Sequence, residues 1–195
     1  MVQHPRQKKL LKKTDELISN KPNAIIYAMD EAGIKREATI TSCWCIKGKT
    51  SVVLSPATHD KINLVGAVKV GSGEVIGHEV ERFDRYAMIG FLELILEKES
   101  NGRGPIYIIL DNAKPHKAKD VQEFLKTKGQ RFIMMYLPPY SPELNPSENI
   151  WRQLRREKTH NVLFKTIEIL RSTVTAFFNK YAVPNEKMSH LCALG

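Results

Sequence analysis

Two apolar stretches, PIYIIL (105–110) and RFIMMYL (131–137), the second apolar throughout after its leading arginine, constrain this chain more than any other feature. A strand that is apolar on both faces has to be covered on both, as inner strands are in sheets flanked by helices. Between the runs, Val121, Phe124 and Leu125 recur at helical spacing and Gly129 supplies a stop, so the unit reads strand, helix, strand. Two parallel strands joined in this way take a right-handed crossover.

The residues before this unit read differently. AIIYAMDE (24–31) is a short apolar strand that ends in two acids, and EATITSCWCIKG (37–48) has the β-branched and aromatic content of a second strand closed by Gly48. KINLVGAVKV and GEVIGHEVERF flank Gly71-Ser72-Gly73 and form an expected hairpin. Asp84 is placed to cap a helix over RYAMIGFLELILEKES, whose inner stripe is Met88, Phe91, Leu92 and Ile95. Past RFIMMYL come a proline-rich segment and a helix over about 146–158. A C-terminal helix follows over about 166–182, with Ile167, Leu170, Val174, Phe177 and Tyr181 on its inner face. The expected fold is α/β: a mixed sheet, with an antiparallel meander on one side and parallel strands on the other, flanked by helices.

With 195 residues and 42% apolar content, the chain can bury one sizeable core, expected over 23–195. Residues 1–22 read as a basic lead-in or linker carrying Arg6, Lys8, Lys9, Lys12 and Lys13. The excess of 30 Lys and Arg over 21 Asp and Glu favours a polyanionic partner, either nucleic acid or an acidic membrane surface. No apolar run approaches the roughly 18 residues of a spanning helix, and no signal peptide pattern precedes the body. Three cysteines make no disulfide framework, and Cys43 and Cys45 lack further zinc ligands at the usual spacing. A reduced, cytosolic protein is the expectation.

Three acids stand at unusual places. Asp30 interrupts an apolar strand, Asp111 closes PIYIIL, and Glu148 falls in the first turn of the helix after the prolines. Ligand crevices in open α/β sheets lie at the carboxyl ends of strands, which suits Asp111. Carboxylates gathered in one place repel unless they share a cation, and hard oxygen ligands suit Mg2+ or Mn2+. Each acid also has an ordinary reading. Asp30 can be a solvent-facing strand end, and Asp111-Asn112 a turn. Asn145-Pro146-Ser147-Glu148 matches a helix start with Asn as cap and Glu in a capping box, and Arg152 is a helical ion-pair partner for Glu148. Spacing alone leaves both readings open.

Three stretches, YAMDEAG, ILDNAKPH and LPPYSPELNPSENIW, resemble the DDE transposases of the mariner superfamily, in its prokaryotic insertion-sequence branch. The third is the most specific, and the 36 residues between Asp111 and Glu148 are close to that family's spacing. The resemblance extends from about Ala24 to Tyr181. It implies an RNase H-like fold, with Asp30, Asp111 and Glu148 as catalytic ligands of Mg2+ or Mn2+, two ions in all. It also implies cleavage of DNA at transposon ends and strand transfer into target DNA at TA dinucleotides, by a homodimer acting on the nucleoid. His116 resembles a histidine of the family's second motif, expected to contact DNA or orient a water. Glu31 follows Asp30 directly and points the opposite way on a strand, so it is not expected to be a ligand. Ser147 departs from the family, whose members often have an apolar residue there.

Arg152, Arg155, Arg156 and Lys158 form a basic helix face, read either as DNA phosphate contacts or as a solvated surface. The prolines are expected to fix where the helix starts, and so where Glu148 points, while Trp151 and Leu154 face the core. The family usually carries helix-turn-helix modules ahead of the catalytic domain. Here 29 residues precede Asp30, so recognition of transposon ends is expected from a partner polypeptide or an upstream segment. Two other functions compete: an RNase H-like nuclease that only hydrolyses, and a non-catalytic DNA-binding relic.

Overall fold

The computed structural model describes Glu16 and residues 24–49, 52–53, 59–102, 104–129, 131–139 and 141–194. Apart from Glu16, the basic lead-in over 1–22 lies outside the described residues. Five strands form one sheet: β1 (Ile25–Lys35), β2 (Lys61–Lys69), β3 (Val75–Val80), β4 (Ile106–Leu110) and β5 (Phe132–Tyr136). Their spatial order is β3-β2-β1-β4-β5. The first three make an antiparallel meander, and β4 and β5 add in parallel beside β1. This is the expected mixed sheet.

Five described helices flank it: α1 (Arg85–Lys98), α2 (Lys119–Thr127), α3 (Glu148–Leu154), α4 (Ile167–Tyr181) and α5 (Glu186–Leu191). Side chains alternate along β1 and so feed two cores. Tyr27 and Met29 pack with Met88, Phe91, Leu92 and Ile95 of α1 and Val121 of α2. Ile26 and Ala28 pack with Trp151 and Leu154 of α3 and with Leu170, Val174 and Phe177 of α4. All five residues of β4 are buried, as a strand covered on both faces requires. Asp84 caps α1 as expected, its carboxylate accepting from the N–H groups of Tyr86 and Ala87. The β2–β3 turn holds Gly71 and Gly73 at φ of 93° and 72°, a region that favours glycine.

One expected strand is absent. Residues 37–48 form no ladder, and 39–49 are exposed, with Trp44 fully so. The reason is a missing edge: β1, which the segment follows, already has β2 on one side and β4 on the other. A single parallel bridge, Thr39 with His160, and the Asn161 side chain paired to both backbone groups of Thr41 tether it. Cys43 and Cys45 are accordingly exposed and unpaired. Two further features went unread in the sequence: a π-turn over Arg155–Thr159 that extends α3, and the short helix α5.

Candidate active site

Asp30 and Asp111 meet because β1 and β4 are parallel neighbours. Their last registered pair is Ala28 with Ile109; Asp30 lies two residues further along β1, and Asp111 just past the end of β4. Both therefore stand beside the carboxyl end of β4, on the face that α3 covers. Beyond β5 the chain runs through Pro138, Pro139 and Pro142 before α3 delivers Glu148. All three acids line one cleft of about 460 Å3, walled by those prolines.

The proline segment is anchored from within. Asn145 is 4% exposed, and its Nδ2 donates to the Met29 carbonyl at 3.0 Å, beside Asp30. Its Oδ1 accepts from the Ser147 hydroxyl at 2.5 Å and from the Ser147 N–H at 3.3 Å. Ser147 is fully buried, so Asn145 is what satisfies its hydroxyl. The expected capping box does not form: the helix begins at Glu148 itself and Ser147 makes no side-chain cap. Among the described residues the Glu148 carboxylate accepts no hydrogen bond, and the expected ion pair with Arg152 is not made. Glu148 is left to face the cleft. At the other wall, Asn112 Nδ2 donates to the Leu137 carbonyl and ties the end of β4 to the start of the prolines.

Asp30 is partly buried and accepts from the indole Nε1–H of Trp151 at 3.0 Å. Burial, then the nearby Glu148 charge, pushes its carboxyl up to about 7, against the pull of the Glu31 N–H and the Trp151 N–H. The cleft concentrates negative charge, and no Lys or Arg lines it among the described residues. As placed, no group of three or more described His, Cys, Asp or Glu side chains already forms an ion-holding cluster. The donor chemistry nonetheless fits a hard divalent cation: three carboxylates line the cleft, with no Lys or Arg among the described lining residues.

His116, expected to contact DNA or orient a water, lies inside the fold: its ring is 1% exposed, in a 3-10 turn (Lys114–Lys117). Its Nε2 donates to Glu31 Oε1 at 2.6 Å and its Nδ1 lies 3.0 Å from Asp111 Oδ1. Burial alone lowers its pKa, but the Glu31 hydrogen bond and the charges of Glu31 and Asp111 prevail and raise it. Glu31 does point away from Asp30, as alternation requires, and its partner there is this histidine. The only sequence signal for the pair was an acid on the buried face of a strand.

Of the basic residues, Arg152 and Arg156 are exposed and Arg155 and Lys158 are partly buried. None of the four lines the cleft. None has an acidic partner among the described residues, unlike Arg171, which pairs with Glu79. Their turn is instead fixed by Glu157, which accepts from Tyr181 at 2.6 Å, Lys180 at 2.9 Å and Lys187 at 3.1 Å.

A mixed sheet in the order β3-β2-β1-β4-β5, with one acid within β1, one just past the end of β4 and a third on a following helix, defines an RNase H-like fold. A family model described as DDE superfamily endonuclease matches residues 25–171. The chain is 28% identical over 177 residues to the Insertion element IS630 uncharacterized 39 kDa protein of Shigella sonnei, a match covering 85% of this chain and 49% of that one. Thus it spans about half the length of that relative. The fold is similar to the Mos1 mariner paired end complex with Mn, with a TM-score of 0.69 and 17% identity over 98% of this chain and 60% of that one. It is also similar to the catalytic domain of Mos1 mariner transposase, with a TM-score of 0.60 and 16% identity over 98% and 89% of the two chains. This chain belongs to the DDE superfamily endonucleases.

Proposed function

We propose that this domain cleaves DNA strands at the ends of a mobile element and joins the freed 3′-hydroxyl to target DNA, using Mg2+ or Mn2+ bound by Asp30, Asp111 and Glu148. The observation that carries the reading is the convergence of three carboxylates, from β1, β4 and α3, on one cleft without a cationic wall among the described residues. Divalent ions held there by the three carboxylates, two in this reading, would supply Lewis-acid stabilisation of the phosphate and activation of the attacking oxygen.

The chain's own residues do the rest. The Trp151 N–H holds Asp30 Oδ2, and the residue lines the cleft. Glu148 enters from α3, whose start is set by Asn145 and the prolines. The proline wall is rigid and apolar, and it narrows the space in which water competes with a 3′-hydroxyl. In the first step water attacks the phosphorus and the 3′-oxygen leaves; in the second that 3′-oxygen attacks a target phosphorus and displaces the target's own 3′-oxygen. Arg152, Arg155, Arg156 and Lys158 hold phosphates on the approach. Two copies act together, and end recognition comes from a helix-turn-helix module in a partner polypeptide or an upstream segment.

The test uses duplexes bearing the terminal repeats that flank this gene, with cleavage and joining scored in Mg2+, Mn2+ and Ca2+. Wild type is expected to cleave and join in Mg2+ and Mn2+ and to bind without chemistry in Ca2+. Asp30→Asn, Asp111→Asn and Glu148→Gln are each expected to abolish cleavage while duplex binding persists. One such variant cleaving at the wild-type rate overturns the triad. Cleavage without any joining identifies a purely hydrolytic nuclease.

A further inference from the structure

Asp111 does not present both of its oxygens to the cleft equally. Oδ1 accepts the Ala113 N–H at 2.8 Å and lies 3.0 Å from His116 Nδ1. Oδ2 has no protein partner among the described residues. The carboxylate is thus committed on one side and open on the other, although its side chain is 53% exposed and would otherwise rotate.

Oδ1 is held by the Ala113 N–H and by a ring that cannot turn, whose Nδ1 also meets the Asp111 main-chain carbonyl at 3.4 Å. His116 follows β4 in the 3-10 turn, with its backbone N–H bonded to the Ala113 carbonyl at 3.1 Å. Tyr136 of β5 donates to the His116 carbonyl at 3.3 Å. At the far side of the ring, Nε2 donates to Glu31 Oε1 at 2.6 Å. Glu31 comes from the middle of β1, where both neighbouring residues are built into the sheet. Asp30 and Glu31 therefore leave β1 on opposite faces, and both bear on the same cleft, one directly and one through the histidine.

We propose that Glu31 is a positioning residue, which acts through the His116 imidazole to hold Asp111 Oδ1 and leave Oδ2 for a divalent cation. The inference rests on the assignment of Asp111 as a metal ligand in the proposed function. An acceptor that fixes the ring of a histidine, and through it a ligand, typically alters metal affinity or activity by about 10–100-fold when removed. A glutamine at 31 keeps an acceptor oxygen for Nε2–H, whereas an alanine keeps none.

The experiment measures Mn2+ binding to the folded full-length chain by electron paramagnetic resonance, well below the melting temperature, for wild type, Glu31→Ala, Glu31→Gln and Asp111→Asn. Glu31→Ala is expected to weaken Mn2+ binding about 10-fold or more, and Glu31→Gln to stay within about threefold of wild type. In wild-type protein labelled with 15N-histidine, Mg2+ is expected to move the Nδ1 resonance of His116, a readout that needs no variant to fold. If Asp111→Asn loses Mn2+ but Glu31→Ala binds it as wild type does, the positioning role is overturned and the metal assignment stands. An unmoved Nδ1 resonance at saturating Mg2+ overturns it equally. If Asp111→Asn binds Mn2+ as tightly as wild type, the metal assignment itself fails, and this inference with it.

Discussion

Trp151 Nε1 donates to Asp30 Oδ2 at 3.0 Å, so a core residue of α3 holds the acid of β1 directly. The indole is 1% exposed and meets Phe178 of α4 edge-on, with ring centroids 6.3 Å apart. Packing between α3, α4 and the sheet therefore sets where Asp30 stands. Trp151→Phe keeps most of the ring volume and removes the N–H. It should destabilise the protein by about 1–3 kcal/mol, as expected for a lost hydrogen bond to a carboxylate, and raise the Asp30 pKa further. Cleavage at neutral pH should fall more than cleavage at pH 9; a pH–rate profile unchanged in shape would separate Trp151 from Asp30.

The room for that tryptophan comes from Gly66, the β2 residue opposite Asp30. A Cβ at Gly66 would stand 2.6 Å from Trp151 Cη2, whereas one at Gly33 would meet nothing closer than 3.7 Å. Gly66→Ala should therefore cost about 1–3 kcal/mol by overpacking, and should slow cleavage by moving Trp151. Gly33→Ala is the control, expected to change both far less. Paired chemical denaturation and single-turnover cleavage would test the contrast.

Asp30 also makes stability depend on pH. Its folded carboxyl is raised to about 7 from an ordinary 3.8, so the folded state holds a proton the unfolded chain releases. That contribution is fully present below the unfolded value and is lost as pH rises through about 7. Asp30→Asn should thus be more stable than wild type at pH 8, by on the order of 2 kcal/mol, with the gap nearly closed at pH 4. Mg2+ should raise the wild-type melting temperature at pH 8 and leave that of Asp30→Asn nearly unchanged. Urea denaturation at the two pH values, with and without Mg2+, would decide it.

Glu157 works in the opposite direction. Although burial alone would raise its pKa, hydrogen bonds from Tyr181, Lys180, Lys187 and Gln153 hold its carboxyl down to about 2. Its contribution is present above the unfolded value of 4.5 and is lost as pH falls through about 2. Glu157→Gln should destabilise the protein at pH 7 by roughly 1–2 kcal/mol, and the difference should shrink steadily on acidification. A constant gap from pH 7 to pH 3 would contradict this.

Replacing Arg152, Arg155 and Arg156 together by alanine should weaken DNA binding evenly across sequences. The slope of log K against log salt should fall by about one for each phosphate that is no longer neutralised. Titrations of two unrelated duplexes across a salt series give the slope. If it does not change, the three side chains form a solvated surface.

Local physics made much of this protein legible in its sequence. The continuous apolar run of β4 dictated a strand buried on both faces, whereas β5, expected to be buried likewise, is the edge of the sheet and buries only Phe132 and Met135; helical spacing picked out the four residues of α1 that are in fact buried. Asp84 could be read as a cap because capping involves only neighbouring residues. The three acids were legible through the stretches around them, while their meeting depends on the parallel register of β1 with β4. Pairing partners, by contrast, are a non-local matter. Residues 37–48 have strand-forming composition and no free edge at β1 to pair with, so they lie exposed. Asn145 looked like a helix cap and instead binds the Met29 carbonyl across the fold, because that buried acceptor comes within reach only after β1 and the proline segment are packed together. His116 was expected to contact DNA or orient a water, and its ring is buried between Glu31 and Asp111, since the turn after β4 folds back over β1. Sequence spacing determined which faces these side chains leave from, and tertiary packing alone decided what they meet.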